Sequence, residues 1–409
     1  MNMQSSTGRV LRRVALLVIL FSLLALVVQV GLAQSEAPAV VSAGTLTIGK
    51  STTPAGGQDF WVTAASFQNA WGSKGKGNGQ FRQPRDVATD AAGNFYISDH
   101  QNSRIQKFSA NGTFQDAFGA PGRKNGQLRR PNAIAVSGNT VIVTDTDNHR
   151  IAEFNTNGNF IRNWGSEGTG NGQFSHPQGV AVDGAGNIYI ADTFNHRIQV
   201  FSAAGAYLRQ WGTLGSGQGQ LRFPAHIDFD AAGNLYVADS NNNRIQVFDS
   251  QGTFVRQFGA TGTGPGQLRV PVGLDVSADG YVYVSDTFNN RVQKFTTNGA
   301  VVGLWTQTAG NQSISRPNGL LAIGANVYVT DIDANKVQIY SQASFQVDDG
   351  QQLSAGLPAG TYTVVEAPKT GWTLNSATCN AGNPSSIPGG VSVALADGAT
   401  VVCTFANGQ

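Results

Sequence analysis

Two kinds of residue in this chain are placed to do chemistry: a polar turn repeated six times, and a few side chains that break the repeat. The turn is Asp-x-x-Asn-x-Arg, found as Asp99/Asn102/Arg104, Asp145/Asn148/Arg150, Asp192/Asn195/Arg197, Asp239/Asn242/Arg244 and Asp286/Asn289/Arg291. A sixth copy keeps Asp331 and carries Lys336 for Arg. Short Asp and Asn side chains bind turn backbone, and Arg pairs with carboxylate in a fixed fork. An active site is asymmetric and needs one such set, so six copies predict a structural turn. A second recurring loop reads Gly-x-Gly-Gln-Phe/Leu-x-x-Pro, with Lys124 in place of the first Gly in one copy. Arg82, Arg129, Arg222 and Arg269 hold equivalent positions in it, and Ser175 breaks the set. Gln80, Gln127, Gln173, Gln220 and Gln267 recur beside them. No Gly-Lys-Ser/Thr follows, so this is no phosphate loop. The reading is a ligand-binding face for carboxylates or anionic glycans; the alternative is solvated arginines at a blade edge.

The five histidines are His100, His149, His176, His196 and His226. His149 and His196 belong to the repeated turn and are replaced by Ser103, Asn243 and Asn290 elsewhere, which reads as incidental. His226 differs, because it stands where other copies have Gly179 and Gly273. Asp228 follows on the same strand face, which makes the two weak candidates for a catalytic pair. One histidine without matching His, Glu or Asp partners is not a metal site, so no metal or other cofactor is predicted.

The elements that must hold these residues follow from the repeat. NIYIADTFNHRIQVF from Asn187 recurs five more times, about 45–47 residues apart. A period in that range marks a solenoid or propeller. Each unit holds four strand candidates, as in Phe160–Trp164, Gly179–Asp183, Asn187–Ala191 and Ile198–Phe201, separated by Gly-rich turns. Four short strands per unit make a propeller blade. The inner three strands occur six times, and the outer strand first appears at Phe67–Trp71, before the first blade. That strand is expected to complete blade six and close the ring, which removes the open edges.

The motifs P-x-G-V-A-V-D, GNIYIAD and NHRIQVF resemble the NHL repeat family over residues 66 to about 341. The resemblance implies a six-bladed β-propeller. Some NHL propellers bind RNA, but a net charge of +2 and an exported chain argue against nucleic acid as partner. Related propellers include peptide-amidating lyases and gluconolactonase-type hydrolases with metal-centred clusters in the central channel. That keeps an enzyme alternative, a lyase or hydrolase around His226 and Asp228 with Ca or Zn.

The flanks carry a second fold. TLTIGK near residue 45, LPAGTYTVVEAPKTGW and CTFAN resemble the prealbumin-like (Cna-B/SpaA-type) domains of bacterial surface proteins, a small β-sandwich. The expected organisation is residues 1–33 signal peptide, 34–42 linker, 43–65 first part of the sandwich, 66–343 propeller, and 344–409 second part. The propeller is thus read as inserted in the sandwich. Members of the resembled family often join a first-strand Lys to a last-strand Asn with help from a Glu; the matching positions are Lys50, Asn407 and Glu366. Cys379 and Cys403 are the only cysteines; in an exported protein they read as one disulfide, with two free buried thiols as the alternative.

Arg9, Arg12 and Arg13 precede the apolar run Val14 to Ala33, which ends in small residues. That describes a secretory signal, with an uncleaved anchor as the alternative. No membrane span is expected after signal removal. The expectation is therefore an all-β, secreted or cell-surface protein, monomeric, binding a protein, peptide or glycan ligand. A spacer without a ligand is the third reading.

Overall fold

The computed structural model describes residues 44–50, 60–305, 314–324, 326–347, 353–357, 360–366, 373–379, 385–387, 390–395 and 400–408. The signal and linker expected at 1–42 lie outside the described residues. Among the described residues no helix is long and apolar enough to cross a membrane.

Six four-stranded antiparallel blades make up the propeller. Blade three is typical: Gly179–Val182, Ile188–Asp192, Arg197–Phe201 and Tyr207–Trp211, each paired with the next. Its second strand, IYIAD, is buried along its whole length, because neighbouring blades cover both faces. The same holds for Phe95–Asp99 and Leu235–Asp239. This explains why these strands read as continuous apolar runs rather than as alternation.

The core sits between blades. Tyr236, Ile245 and Val247 of blade four pack on Leu274, Val284 and Phe295 of blade five. Comparable clusters fill the interfaces of blades three and four, one and two, and two and three. The last two interfaces are filled in the same way. Tyr283 and Trp305 of blade five meet Val327 and Tyr340 of blade six. Phe95 and Phe108 of blade one meet Tyr328 and Ile339 of blade six. Each fully buried Val or Phe contributes about 1.5–3 kcal/mol relative to an exposed one, so every interface carries its own share of the stability.

Blade six takes its outer strand from the N-terminal side. Phe60–Trp71 pairs antiparallel with Lys336–Val347 from Phe60↔Val347 to Trp71↔Val337, shifting register between Phe67 and Asn69. Trp71 stacks near Phe95, Phe108 and Tyr328 across the closure.

The same two strands run on into a second sheet. Phe60–Ala64 pairs on its other edge with Tyr362–Glu366, followed by Gly390–Leu395 and Ser385–Ile387. A separate sheet orders Leu353–Leu357, Gly44–Lys50, Thr400–Gly408 and Thr373–Cys379. Gly44–Lys50 is thus held between two strands from the C-terminal part. The boundaries expected at 65/66 and 343/344 both fall inside continuous strands.

Candidate functional site

The repeated turns come first, because they build one face of the ring. After each second strand the chain makes a short 3-10 turn ending in a left-handed residue, as in Thr193–Asn195 followed by His196 at φ 55°. Asp192 lies at its centre. One carboxylate oxygen accepts from Ser175 N at 2.7 Å. The other accepts from Asn195 Nδ2 at 2.9 Å, Arg197 Nε at 2.8 Å and Gln199 Nε2 at 3.0 Å. Arg197 then reaches the carbonyls of Gly170 at 2.8 Å and Gln173 at 2.9 Å in the glycine loop. Asp99, Asp239 and Asp286 repeat this set, and Asp145 repeats it without the glutamine, whose place is taken by Ala152. Asp331 departs from it, accepting from Ser315 N at 2.8 Å and Gln338 Nε2 at 2.9 Å. Burial pushes the Asp99 and Asp145 carboxyls upward, against the hydrogen bonds that hold them ionised.

The glutamines of the loop brace it through their side-chain oxygens, with Gln220 and Gln267 exposed. Gln80, Gln127, Gln173, Gln220 and Gln267 each accept, through Oε1, from a backbone N–H three residues earlier at 2.9–3.0 Å. Their oxygens close their own loop.

The arginines behave differently. Arg82, Arg129, Arg222 and Arg269 donate backbone N–H to the turn aspartates at 2.6–2.8 Å. Their main chain is fixed, while Arg129, Arg222 and Arg269 are exposed and Arg82 is half-buried. They stand on the same face in blades one, two, four and five. Between blades one and two this face opens into a cleft of about 490 Å³, lined by Arg123, Arg129, Arg130, Asp147, Gln101 and Ser103 among others.

Sequence reasoning missed the links between blades on this face. In five of the turns the left-handed residue accepts a backbone N–H from the residue before the proline of the next blade. His149 Nδ1 takes His176 N at 3.2 Å, and His196 Nδ1 takes Phe223 N at 3.1 Å. Asn243 and Asn335 do the same for Val270 and Gln83, at 2.8 and 3.0 Å. Ser103 takes Arg130 N at 3.3 Å. His149 and His196 are therefore not incidental: each must be neutral at Nδ1 to accept. Burial lowers the pKa of both, with the His176 ring adding to it at His149 and Arg222 at His196. The substitution pattern Ser/His/Asn was the available signal, since all three side chains can accept. Around them His149, His176, Phe194, Phe223 and His196 form a chain of ring contacts at 4.3–5.1 Å, with Phe194 49% exposed.

The axis is the other candidate. Two residues after the proline of each innermost strand stand Asp86, Ala133, Gly179, His226, Gly273 and Gly319. His226 Nε2 lies 3.2 Å from Asp86 Oδ2, joining blade four to blade one on the opposite side of the ring. The glycines leave no room: a Cβ on Gly273 would sit 1.6 Å from the Asn318 oxygen, and one on Gly179 2.2 Å from that of Ala225. The expectation that His226 lacks a carboxylate partner is thus corrected. Asp86 lies 140 residues away, and only ring closure shows the pairing.

Deeper in, Asp228 accepts from Val276 N at 2.7 Å and Asp275 from Ala322 N at 3.0 Å. His226 is raised to about 9: burial lowers it, but Asp86, Asp228 and Asp275 outweigh that. Burial raises Asp228 to about 6, and burial with the Asp228 charge raises Asp275 well above the usual range. Among the described residues no His, Cys, Asp and Glu are grouped to hold a metal ion.

Strand placement locates the remaining candidates. Cys379 lies directly opposite Cys403 in an antiparallel pair. Lys50 lies opposite Phe405 in a parallel pair, two residues from Asn407. Glu366 is paired with Phe60 in the other sheet.

Comparison with known proteins agrees with this geometry. Residues 81–108, 128–154 and 174–201 match the NHL repeat, and 228–302 match a 6-bladed beta-propeller family. Residues 328–409 match a prealbumin-like fold domain. No curated protein matches the chain. Among solved structures, a streptogramin B lyase aligns at 15% identity and TM-score 0.51, covering 82% of this chain and 98% of that one. A protein of unknown function from Bacteroides thetaiotaomicron aligns at 16% and TM-score 0.52, covering 70% and 77%. A candidate gluconolactonase aligns at 14% and TM-score 0.51, covering 72% and 95%. At these identities the likeness carries the fold alone. The chain is an all-β protein with NHL repeats in a six-bladed propeller and a prealbumin-like match at its C-terminal end.

Proposed function

We propose that this chain is an exported binding module, monomeric, that presents the turn face of its propeller to a protein, peptide or glycan ligand at or outside the cell surface. The observation that carries this reading is the row of fixed-backbone arginines with outward side chains at Arg129, Arg222 and Arg269, beside the arginine-lined cleft. Guanidinium forks on a rigid ring suit carboxylates and anionic glycans. The competing reading, a lyase or hydrolase with a channel metal, would need His226 and Asp228 as ligands. His226 is already paired with Asp86, and Asp228 with the Val276 N–H.

A glycan and peptide array probed with residues 43–409, with bound metal quantified on the same sample, separates the two. The binding reading expects a hit that is lost when Arg82, Arg129, Arg222 and Arg269 become Ala. Stoichiometric metal that disappears with His226→Ala would overturn it in favour of the enzyme.

The strand pairing supports a propeller inserted between the first strands of the sandwich and the rest, with both connections made by one long strand pair. In the sandwich we propose a Cys379–Cys403 disulfide and a Lys50–Asn407 isopeptide bond assisted by Glu366. Intact mass tests both: two hydrogens lost for the disulfide and one ammonia for the isopeptide.

A further inference from the structure

Three buried donor atoms near the turn-face end of the axis have no hydrogen-bond partner: Arg85 Nε, Arg316 Nε and Asn318 Nδ2. Asn318 is 2% exposed. Arg85 follows the proline of the innermost strand of blade one, and Arg316 and Asn318 flank that of blade six. These blades are in direct contact here. Thr330 Oγ1 donates to the Arg85 carbonyl at 3.0 Å, and a Cβ on Gly319 would lie 2.6 Å from the same oxygen. Orphaned buried donors are rare in folded proteins and call for an explanation.

Charge points the same way. The nearest acid in sequence, Asp86, is turned to His226 and leaves Arg85 without that carboxylate. Arg130, before the proline of blade two, adds a third guanidinium. Burial, then the charges of Arg316 and Arg130, lower Arg85 to about 10. The acids that do approach stand farther out: Asp147 at 3.5 Å from Arg130 and Asp333 at 3.2 Å from Arg316. A desolvated arginine among other arginines, with its Nε–H unmatched, is the arrangement an anion completes.

We propose that the turn-face mouth of the axis is a pocket for an oxyanion, a carboxylate or phosphate carried by the ligand, bound by Arg85 and Arg316 with the Asn318 amide as third donor. It rests on the reading of this face as a binding face and assigns the chemistry of the group recognised there. The cleft beyond Arg130 gives room for the rest of such a ligand.

The test is calorimetric titration of the full exported chain with sodium acetate, sodium glucuronate and inorganic phosphate, at ionic strength held constant with chloride. Saturable binding is expected for at least one, weakened ~10-fold or more in Arg85→Gln and in Arg316→Gln, as for loss of a charge-assisted fork. Preference for glucuronate or acetate assigns a carboxylate; preference for phosphate assigns a phosphoryl group. If Arg85→Gln does not fold by circular dichroism, the half-exposed Arg316→Gln decides alone. The triple change Arg129→Ala, Arg222→Ala, Arg269→Ala should leave small-anion binding intact while abolishing array capture. No saturable binding, or binding unchanged in the folded Arg variants, overturns the pocket. Anion binding that persists without any array hit overturns the broader binding-face reading only.

Discussion

The turn ring and the axis are both built of charged residues, yet they are organised on opposite principles. In the ring each Asp is wholly buried; Asp99, Asp192, Asp239 and Asp286 each meet a backbone N–H and Asn, Arg and Gln side chains, and Asp145 meets the same set without the Gln. On the axis the repeat breaks: Asp86, His226, Asp228 and Asp275 occur where other blades have Gly, Ala or Leu. The ring's charges satisfy one another locally, within a blade. The axis charges meet only because six blades converge, and they leave orphaned atoms such as Asp86 Oδ1 and His226 Nδ1. Repetition therefore marks scaffold, and departures from it mark where a specific property can reside.

The largest effect is expected from breaking the ring. Asp239 accepts from Arg222 N, Asn242, Arg244 and Gln246. Asp239→Ala leaves a buried Arg244 cation without its partner and should cost about 3–5 kcal/mol. Urea denaturation measures it; a loss below about 1 kcal/mol would mean that the ring is ornament rather than scaffold.

Next comes the steric closure of the axis. Gly273→Ala drives a Cβ onto the Asn318 carbonyl and should cost at the upper end of about 1–3 kcal/mol. Gly184→Ala, with nothing within 4 Å of its Cβ position, should change stability by no more than about 0.5 kcal/mol. Equal midpoints for the two variants would show that the axis has slack.

The axis and the histidine links of the turn face should also respond to pH with opposite sign. His226 is raised to about 9, so its contribution is complete below pH 6.5 and is lost as pH rises through about 9. Asp228, raised to about 6, favours its protonated form in the fold, so its contribution likewise fades between pH 3.8 and about 6. The axis thus weakens as pH rises, His226 contributing on the order of 3 kcal/mol. His226→Gln should flatten the stability profile between pH 6.5 and 9. An unchanged slope in that variant would detach the decline from this pair.

Much of the scaffold could be read from the chain. The 45–47 residue period, the four strands per unit and the early outer strand at Phe67–Trp71 led to a ring closed by the N-terminal side. These are local patterns, and strand periodicity reports them directly. The site was less legible. His226 and Asp86 are partners only through closure, and the loop-bracing bonds of the Gln80 set depend on a side-chain direction that sequence does not report. The Arg85, Arg316 and Asn318 donors stand beside the recurring prolines yet differ from blade to blade, and their convergence needs the three-dimensional contact of blades six and one.

The smallest effect tests the links around the turn face. His149 and His196 accept backbone N–H groups of the next blade through Nδ1, and burial leads the causes that lower their pKa values. A histidine depressed in the fold stabilises above its unfolded pKa, and that stability is lost as pH falls below about 6.5 and through the folded value. Blades four and six use Asn243 and Asn335 for the same bond, and asparagine does not titrate. The double change His149→Asn, His196→Asn should therefore match the parent near pH 8 and exceed it at pH 5. The gain should be about 0.5–1.5 kcal/mol, the range for one or two neutral hydrogen bonds. Asparagine also tolerates the left-handed backbone these positions require, at φ 52° and 55°. If the double variant tracks the parent from pH 8 to 5, protonation does not reach these bonds, and the turn-face links are not what sets acid sensitivity.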